Sequence, residues 1–339
     1  MSTISTSNLK GIGRWLPGLI ISAIAIILLA RFSNWPDVLD AISGMDLGWL
    51  FPALGLFVIS LGLRALSWWV LLQRKVNYGR VFLTLNEGYL LNNIFPFRLG
   101  ELGRAFILSE TTNLSGFFVL STIIIERMYD IAIAAGLILA TIPLILSLES
   151  SQSIAVSVFL LAIAGLFCMF LLARNRGWIM NKLEGFSLKR FVFWDRIVPR
   201  INSLLDGFGV LANFRQFILS LVLMVLSWIF GALELVFISK SFGVDLSGWM
   251  VAFILGMISI GIAIPSAPAG LGVFEAAAVG AFSLLGMPTS DGLAIAIVVH
   301  FVSITFTGIV GMFGIFRDGK SLAGLYQQLR KIRVSNTYP

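Results

Sequence analysis

Three charged residues lie close together in an otherwise apolar part of the chain, where Arg98, Glu101 and Arg104 follow Pro96 and flank Gly100. A guanidinium group presents a planar fork of N–H donors that pairs with two phosphate oxygens and stays charged at any physiological pH. A helix that starts near Glu101 would add free backbone N–H groups and the positive end of its dipole, with Glu101 either orienting Arg104 or capping the helix. The stretch is therefore either a site for a phosphate-bearing head group or a pair of arginines that reach the membrane interface and fix the topology.

A second charged group, made of Glu126, Arg127 and Asp130, interrupts a long apolar run further along the chain. On a helix, Glu126 and Asp130 lie one turn apart on the same face, and Arg127 reaches Asp130 at a spacing of i+3. Charged side chains inside a membrane are costly and usually face the interior of the helix bundle. The group is either a structural ion-pair network or part of a ligand site, and it would also supply counter-charges for Arg98 and Arg104.

A break rich in proline and glycine recurs in the second half of the chain, at Pro268, Gly270 and Gly272. The segments Pro96–Gly100 and Pro268–Gly272 share the pattern P-x-x-L-G, and each follows a short apolar piece and precedes a short helix and then a long span. Proline and glycine interrupt helices, and broken backbone inside a bilayer is tolerated where it is covered by protein or lines a water-filled cavity. Paired broken segments in two inverted halves indicate the binding site of a transporter.

Four further residues in the apolar segments are candidates for the same site. Glu275 follows Gly272 by three residues, where a carboxylate either caps the helix or binds a cation or proton. His300 is the only histidine, and we expect it to be hydrogen-bonded to a neighbour. Arg64 and Glu234 lie at comparable places in the two halves, so we expect a supporting pair across the interface between the repeats.

The composition, which is 58% hydrophobic and 12% charged, predicts an all-α polytopic membrane protein with six to eight transmembrane helices. The clear spans are about 15–31, 47–73, 117–147, 153–173, 216–239 and 291–316. Two shorter apolar pieces, about 81–96 and 249–264, end near a proline. Each is followed by a second short helix, so we interpret each pair as a re-entrant broken-helix hairpin, with a pair of short full spans as the alternative.

The basic residues are concentrated in some of the loops and not in others, and this distribution predicts the orientation of the chain in the membrane. Lysine and arginine are concentrated at the N-terminus, after the second span, in 174–215 and in the tail 321–339, so the positive-inside rule places both termini in the cytoplasm. The 174–215 segment is predicted to be a cytoplasmic amphipathic loop that forms a helix on the inner leaflet, or else a solvated loop. The whole chain, 1–339, is predicted to be one membrane domain with inverted repeats at about 12–150 and 151–320.

Three motifs together carry a family resemblance. They are N-N-I-F-P-F-R-L-G-E-L-G-R, then I-I-I-E-R-M-Y-D, then I-P-S-A-P-A-G-L-G-V-F-E. The chain resembles the flippase-like transmembrane region of lysylphosphatidylglycerol synthases in its stand-alone form. The resemblance implies a polytopic domain that moves a lipid, often one with a charged or glycosylated head group, and no aminoacyl-transferring domain is expected. The positions to which it carries over are Arg98, Glu101, Arg104, Glu126, Arg127, Asp130, Pro268, Gly270, Gly272 and Glu275.

We therefore expect a transporter of a lipid with an anionic head group in the cytoplasmic membrane, with Arg98, Glu101, Arg104 and Arg127 at the head group. The alternative is a non-transporting membrane partner that presents a lipid to an envelope-synthesis enzyme or glycosyltransferase. One cysteine and one histidine supply neither a metal site nor a catalytic triad, so no enzyme activity and no cofactor are expected. Nucleic acid is not expected as a partner, because the basic residues are spread between apolar spans.

Overall fold

A computed structural model describes residues 16–95, 99–145, 149–185, 194–263 and 266–319, together with residues 322 and 324. In these ranges the chain forms thirteen α-helices and no strand. The helices are α1 (Leu16–Phe32), α2 (Trp35–Ser43), α3 (Leu50–Leu71), α4 (Tyr78–Ile94), α5 (Leu99–Thr111), α6 (Gly116–Thr141), α7 (Glu149–Arg174), α8 (Arg176–Gly185), α9 (Trp194–Ala212), α10 (Phe214–Ser241), α11 (Gly248–Ala263), α12 (Val273–Leu284) and α13 (Thr289–Arg317).

The fold is that of a polytopic all-α membrane protein. Three helices among the described residues are long and apolar enough to cross a bilayer: α3 with the turn before it, α10 and α13. Two bent pairs, α1 with α2 and α7 with α8, raise the number to five. Helix α6 has 26 residues and would extend for about 39 Å, but it carries three charged residues close together near its middle, Glu126, Arg127 and Asp130.

Both predicted hairpins are present as pairs of short helices. Helix α4 has 17 residues and a length of about 25 Å, which is less than the roughly 30 Å of a hydrocarbon core. Its partner α5 packs against it, and the side chain of Asn92 accepts a hydrogen bond from the backbone N–H of Gly100 at 2.7 Å. In the second hairpin, α11 and α12 are in close contact where Gly261 faces Ala277.

The two halves of the chain pack on each other reciprocally. Helices α3 and α10, which occupy equivalent places in the two halves, share the most extensive contact of the described chain. Helix α4 of the first hairpin packs on α13, and α11 of the second hairpin packs on α6. In this arrangement each hairpin packs on a long helix of the other half, as expected for two inverted repeats. The repeat boundaries at about 12–150 and 151–320 stay a prediction.

The 174–215 segment includes an amphipathic helix, as the sequence predicts, and its cytoplasmic location stays a prediction. Within its described residues it consists mainly of helices α8 and α9, and the apolar face of α9 is buried against α6 through Leu205, Phe208 and Leu211. A Cβ at Gly207 would lie within bonding distance of the Ser121 hydroxyl, so the two helices touch closely. The segment is amphipathic, but its apolar face contacts protein rather than only the leaflet, because the periodicity of apolar residues does not distinguish the two surfaces.

Gly272 supports the second hairpin through its backbone, which has a φ of 82°. A Cβ there would lie 2.7 Å from Ile26 Cγ1 and 3.0 Å from the Ser22 carbonyl oxygen, so α1 leaves no room for a side chain. We expect Gly272→Ala to lower the free energy of unfolding by about 1–2 kcal/mol from the left-handed backbone alone, with the contact adding to it. Gly280→Ala is the control, because a Cβ at Gly280 meets nothing within 4 Å. Thermal unfolding in detergent measures both, and equal melting temperatures would contradict this role for Gly272.

Candidate functional site

Glu126 is the centre of a buried charged cluster within the helix bundle. Its side chain, which is fully buried, accepts hydrogen bonds from three arginines. The donor-to-acceptor distances are 2.6 Å from Arg104 to Oε2, 2.7 Å from Arg127 to Oε1 and 3.3 Å from Arg64 to Oε1. One carboxylate therefore connects α3, α5 and α6.

Asp130 extends the cluster by one helical turn. Arg64 donates to both of its carboxylate oxygens, at 2.8 and 2.9 Å, which is the bidentate geometry expected of a guanidinium group. Arg127 lies 3.2 Å from Asp130 as well, at the spacing that the sequence predicts. The indole N–H of Trp228 on α10 donates to the same carboxylate at 3.1 Å. Asp130 thus ties the first half of the chain to a helix of the second.

Arg104 is held in place by its surroundings as well as by Glu126. Its guanidinium group lies over the ring of Trp68, 3.9 Å from the centroid, and the Trp68 indole N–H donates to Thr122. The lack of a side chain at Gly88 makes room for the stem of Arg104, because a Cβ there would lie 2.3 Å from Arg104 Cγ. The first hairpin therefore presents Arg104 to α6 in a fixed position.

The cluster carries more positive than negative charge. Arg64, Arg104 and Arg127 face Glu126 and Asp130, so these five side chains leave one positive charge uncompensated. The Nε atoms of Arg104 and Arg127 are buried and have no hydrogen-bond partner among the described residues. Arg127 is the most open member, with a side chain that is 29% exposed. The cluster therefore has a net positive charge and unused donors, and Arg127 is its most accessible arginine.

Of the residues that the sequence assigns to the first hairpin and its head-group site, two fall outside the described chain and a third forms no described ion pair with the cluster. Arg98 and Pro96 fall outside the described residues. Glu101 is in the first turn of α5, and its Oε2 is buried without a hydrogen-bond partner there. No described ion pair joins Glu101 to Arg104, whose carboxylate partner is Glu126.

Arg64 does not pair with Glu234 in the part of the chain that is described. It pairs with Glu126 and Asp130, while Glu234 is buried on α10 with its Oε1 unbonded. The contact of α10 with the cluster comes instead from Trp228. Sequence reasoning missed Trp228 and Trp68, because a tryptophan in an apolar helix carries no signal that separates a hydrogen-bond donor from a packing residue.

A second polar group lies in the second hairpin. One oxygen of Glu275 accepts the backbone N–H of Gly272 at 2.7 Å, and the other lies 2.6 Å from Nδ1 of His300. Nε2 of His300 lies 3.0 Å from the carbonyl oxygen of Ala269, and Phe274 stacks on the ring at a centroid distance of 4.3 Å. Glu275 therefore caps the helix, which is one of its two predicted roles, and it also pairs with His300, which the sequence analysis did not predict. A cation or proton site at Glu275 stays a prediction.

A third charged group joins α4 to the end of α13. Arg80 contacts Glu87 at 2.9 Å and Asp318 at 2.8 Å, and the buried Glu87 side chain fills the space beside Gly314. The sequence analysis did not find this group, since Arg80 and Asp318 are far apart in the chain. Among the residues that the structure describes, no three His, Cys, Asp or Glu side chains are grouped as a metal site would require.

Comparison with known proteins matches residues 15–311 to the lysylphosphatidylglycerol synthase TM region. Among curated proteins, a UPF0104 membrane protein of Methanothermobacter thermautotrophicus is 23% identical over 326 residues, covering 90% of this chain and 96% of that protein. A UPF0104 membrane protein of Methanocaldococcus jannaschii is 22% identical over 315 residues, covering 86% and 91%. No solved structure gives a significant match.

Proposed function

Because the chain belongs to the family of the lysylphosphatidylglycerol synthase transmembrane region, we propose that it transports a phosphate-bearing lipid across the cytoplasmic membrane. Membership makes it a multi-pass membrane protein related to lipid handling. The proposal adds transport, an anionic head group as the transported part, and cytoplasmic termini. The orientation is supported by the basic residues of the loops.

The observation that carries the proposal is the excess of positive charge in the cluster around Glu126. Ionised groups within a bilayer are costly and usually mark a substrate or ion pathway. Here Glu126 and Asp130 reduce that cost when no ligand is bound, and the unbonded Nε donors of Arg104 and Arg127 remain for an anion. A purely structural network would be expected to match its charges and satisfy its donors.

The position of the cluster supports transport in particular. Asp130 is near the middle of α6 and Trp228 is near the middle of α10, so the cluster lies at about half the length of both helices. A charged head group that crosses a bilayer needs compensating charge at this depth, where water is scarce. Transporters built from inverted repeats bind their substrates near the midplane beside broken helices, and α5 supplies Arg104 from such a hairpin.

Lipid movement in liposomes tests the proposal. The purified protein is reconstituted with fluorescent phosphatidylglycerol or phosphatidylcholine, and the fraction that reaches the outer leaflet is measured by chemical quenching. We expect protein-dependent movement of the anionic probe and a clear reduction in Arg127→Gln, with Arg215→Gln as the control because Arg215 is exposed and outside the cluster. If no anionic lipid moves although the protein binds it, the chain is a non-transporting partner that presents lipid to another envelope protein.

A further inference from the structure

We propose that Glu275 and His300 together bind one exchangeable proton, and that this proton holds the second hairpin in the packed arrangement that the structure shows. The proposal concerns a group separate from the arginine cluster. It rests on the proposed transport function only where it links the proton to lipid movement.

The hydrogen bonds of His300 require the proton. The carbonyl oxygen of Ala269 can only accept, so Nε2 of His300 must carry a hydrogen to bond with it. A second hydrogen must then lie between Nδ1 of His300 and Oε1 of Glu275, which are 2.6 Å apart. The pair is therefore either an imidazolium with a carboxylate or a neutral imidazole with a carboxylic acid. Both forms hold the same number of protons and have no net charge.

Loss of that proton would leave the pair with one negative charge. Neutral His300 then has one hydrogen for two acceptors. On Nε2 it leaves the lone pair of Nδ1 facing a carboxylate oxygen, and on Nδ1 it leaves the lone pair of Nε2 facing the carbonyl oxygen of Ala269. The proton leaves to water and returns from water, so one N–H or O–H bond breaks or forms and no electrons are transferred. Both side chains are buried, at 8% exposure for Glu275 and 7% for His300, so the deprotonated pair would gain little from solvent.

Among the described residues, the surrounding helices supply no charged side chain that is bonded to Glu275 or His300. Helix α11 has no titratable side chain, and α12 has only Glu275. The bonds of the pair go to each other and to the backbone of Ala269 and Gly272. Helices α1, α2, α4, α10 and α13 pack around the hairpin or on α13, and their remaining charged or tyrosine side chains form no described bond with the pair. These side chains are Arg31, Asp37, Asp40, Tyr78, Arg80, Glu87, Tyr89, Arg215, Glu234, Lys240, Asp291 and Arg317.

Glu275 and His300 lie where the loss of their hydrogen bonds would move the second hairpin. It joins the first turn of α12, the turn Pro268–Gly270 and the span α13. Ala269 has a φ of 60°, a strained value for alanine, and the bond from His300 holds this residue. The same turn packs against α4 of the first hairpin. Release of the proton would therefore loosen the contact between the two hairpins.

The test uses the rate at which a cysteine in the turn reacts with a water-soluble maleimide. Leu271, which is 48% exposed, is replaced by cysteine in a Cys168→Ser background, and its rate is divided by that of a cysteine at the exposed position 245. We expect the normalised rate to rise severalfold with pH in one transition. A rate that does not change with pH would overturn the proposal.

Glu275→Gln separates the proton from the hydrogen bonds. A glutamine amide can donate an N–H to Nδ1 of His300 and still accept the N–H of Gly272, with no proton to release. We expect this variant to react slowly at every pH, whereas the control Asp245→Asn, paired with a reference cysteine at exposed Ser247, keeps the wild-type transition. If Glu275→Gln does not fold, His300→Gln replaces it, and we expect it to lose the transition as well. A wild-type transition in either folded variant would contradict the assignment.

Coupling to transport is measured separately in liposomes with a pH gradient. We expect the gradient to change the rate of anionic lipid movement by the wild-type protein, and we expect Glu275→Gln to move lipid at a rate independent of the gradient. Wild-type transport that is indifferent to the gradient would reject coupling. If the protein moves no lipid at all, the transport proposal fails, while the maleimide measurement still decides whether Glu275 and His300 bind the proton.

Discussion

Glu126→Gln is expected to destabilise the protein by about 3–5 kcal/mol, the usual cost of removing one partner from a buried ion pair. Among the residues that the structure describes, Glu126 alone forms ion pairs with all three arginines of the cluster. A glutamine of the same size keeps one acceptor oxygen but turns an N–H group towards a guanidinium. Three positive charges would then face Asp130 alone, in a region with little water.

Thermal unfolding in detergent measures this effect, with Asp245→Asn as the control because Asp245 is exposed in a loop. The double variant Glu126→Gln/Arg104→Met removes one charge of each sign, and we expect it to recover part of the lost stability. A melting temperature of Glu126→Gln equal to that of the control variant would mean that Glu126 does not hold the arginines together.

Gly100→Ala is expected to disrupt the first hairpin, with a loss of about 3 kcal/mol or more, at the upper end of the cost of overpacking. A Cβ at Gly100 would lie 2.0 Å from the carbonyl oxygen of Gly88 and 2.6 Å from Oδ1 of Asn92. The nearest atom belongs to the backbone of α4, so no side-chain rotation relieves the contact. Helices α4 and α5 must therefore separate, and this movement also takes Arg104 away from Glu126.

Gly55→Ala is the matched control for this variant. Gly55 is also inside a helix, but a Cβ there meets no atom within 4 Å. We expect this variant to be neutral or slightly stabilising, since alanine favours helices more than glycine does. Equal yield and equal melting temperature for Gly100→Ala and Gly55→Ala would contradict the close packing of α4 against α5.

The sequence predicts the all-α membrane fold and the two hairpins because proline, glycine and long apolar runs act locally on the backbone. It also predicts that Glu126, Arg127 and Asp130 work together, since helical spacing alone brings them together. Three-dimensional packing determines the rest. Arg64 reaches Glu126 only because α3 lies beside α6, and Trp228 reaches Asp130 only because α10 packs across the two halves.

If the cluster is the proposed head-group site, its charges make it stable without a ligand and still attractive to one. Glu126 and Asp130 accept hydrogen bonds from all three guanidinium groups, which keeps three like charges together. An anionic head group would pair with the remaining positive charge and with the free Nε donors. Because Arg127 is bonded through one terminal nitrogen and is the most open arginine, its loss should weaken ligand binding more than it weakens the fold.

The most direct test of the central claim is the affinity of the purified protein for an anionic lipid, measured by native mass spectrometry in the wild type and in Arg127→Gln. A charge-assisted hydrogen bond contributes about 1.5–3 kcal/mol, so we expect roughly a ten- to hundredfold loss of affinity for phosphatidylglycerol. Phosphatidylcholine binding and the melting temperature should change little, and Arg215→Gln should bind both lipids as the wild type does. Unchanged phosphatidylglycerol affinity in folded Arg127→Gln would contradict the assignment of the cluster as the head-group site.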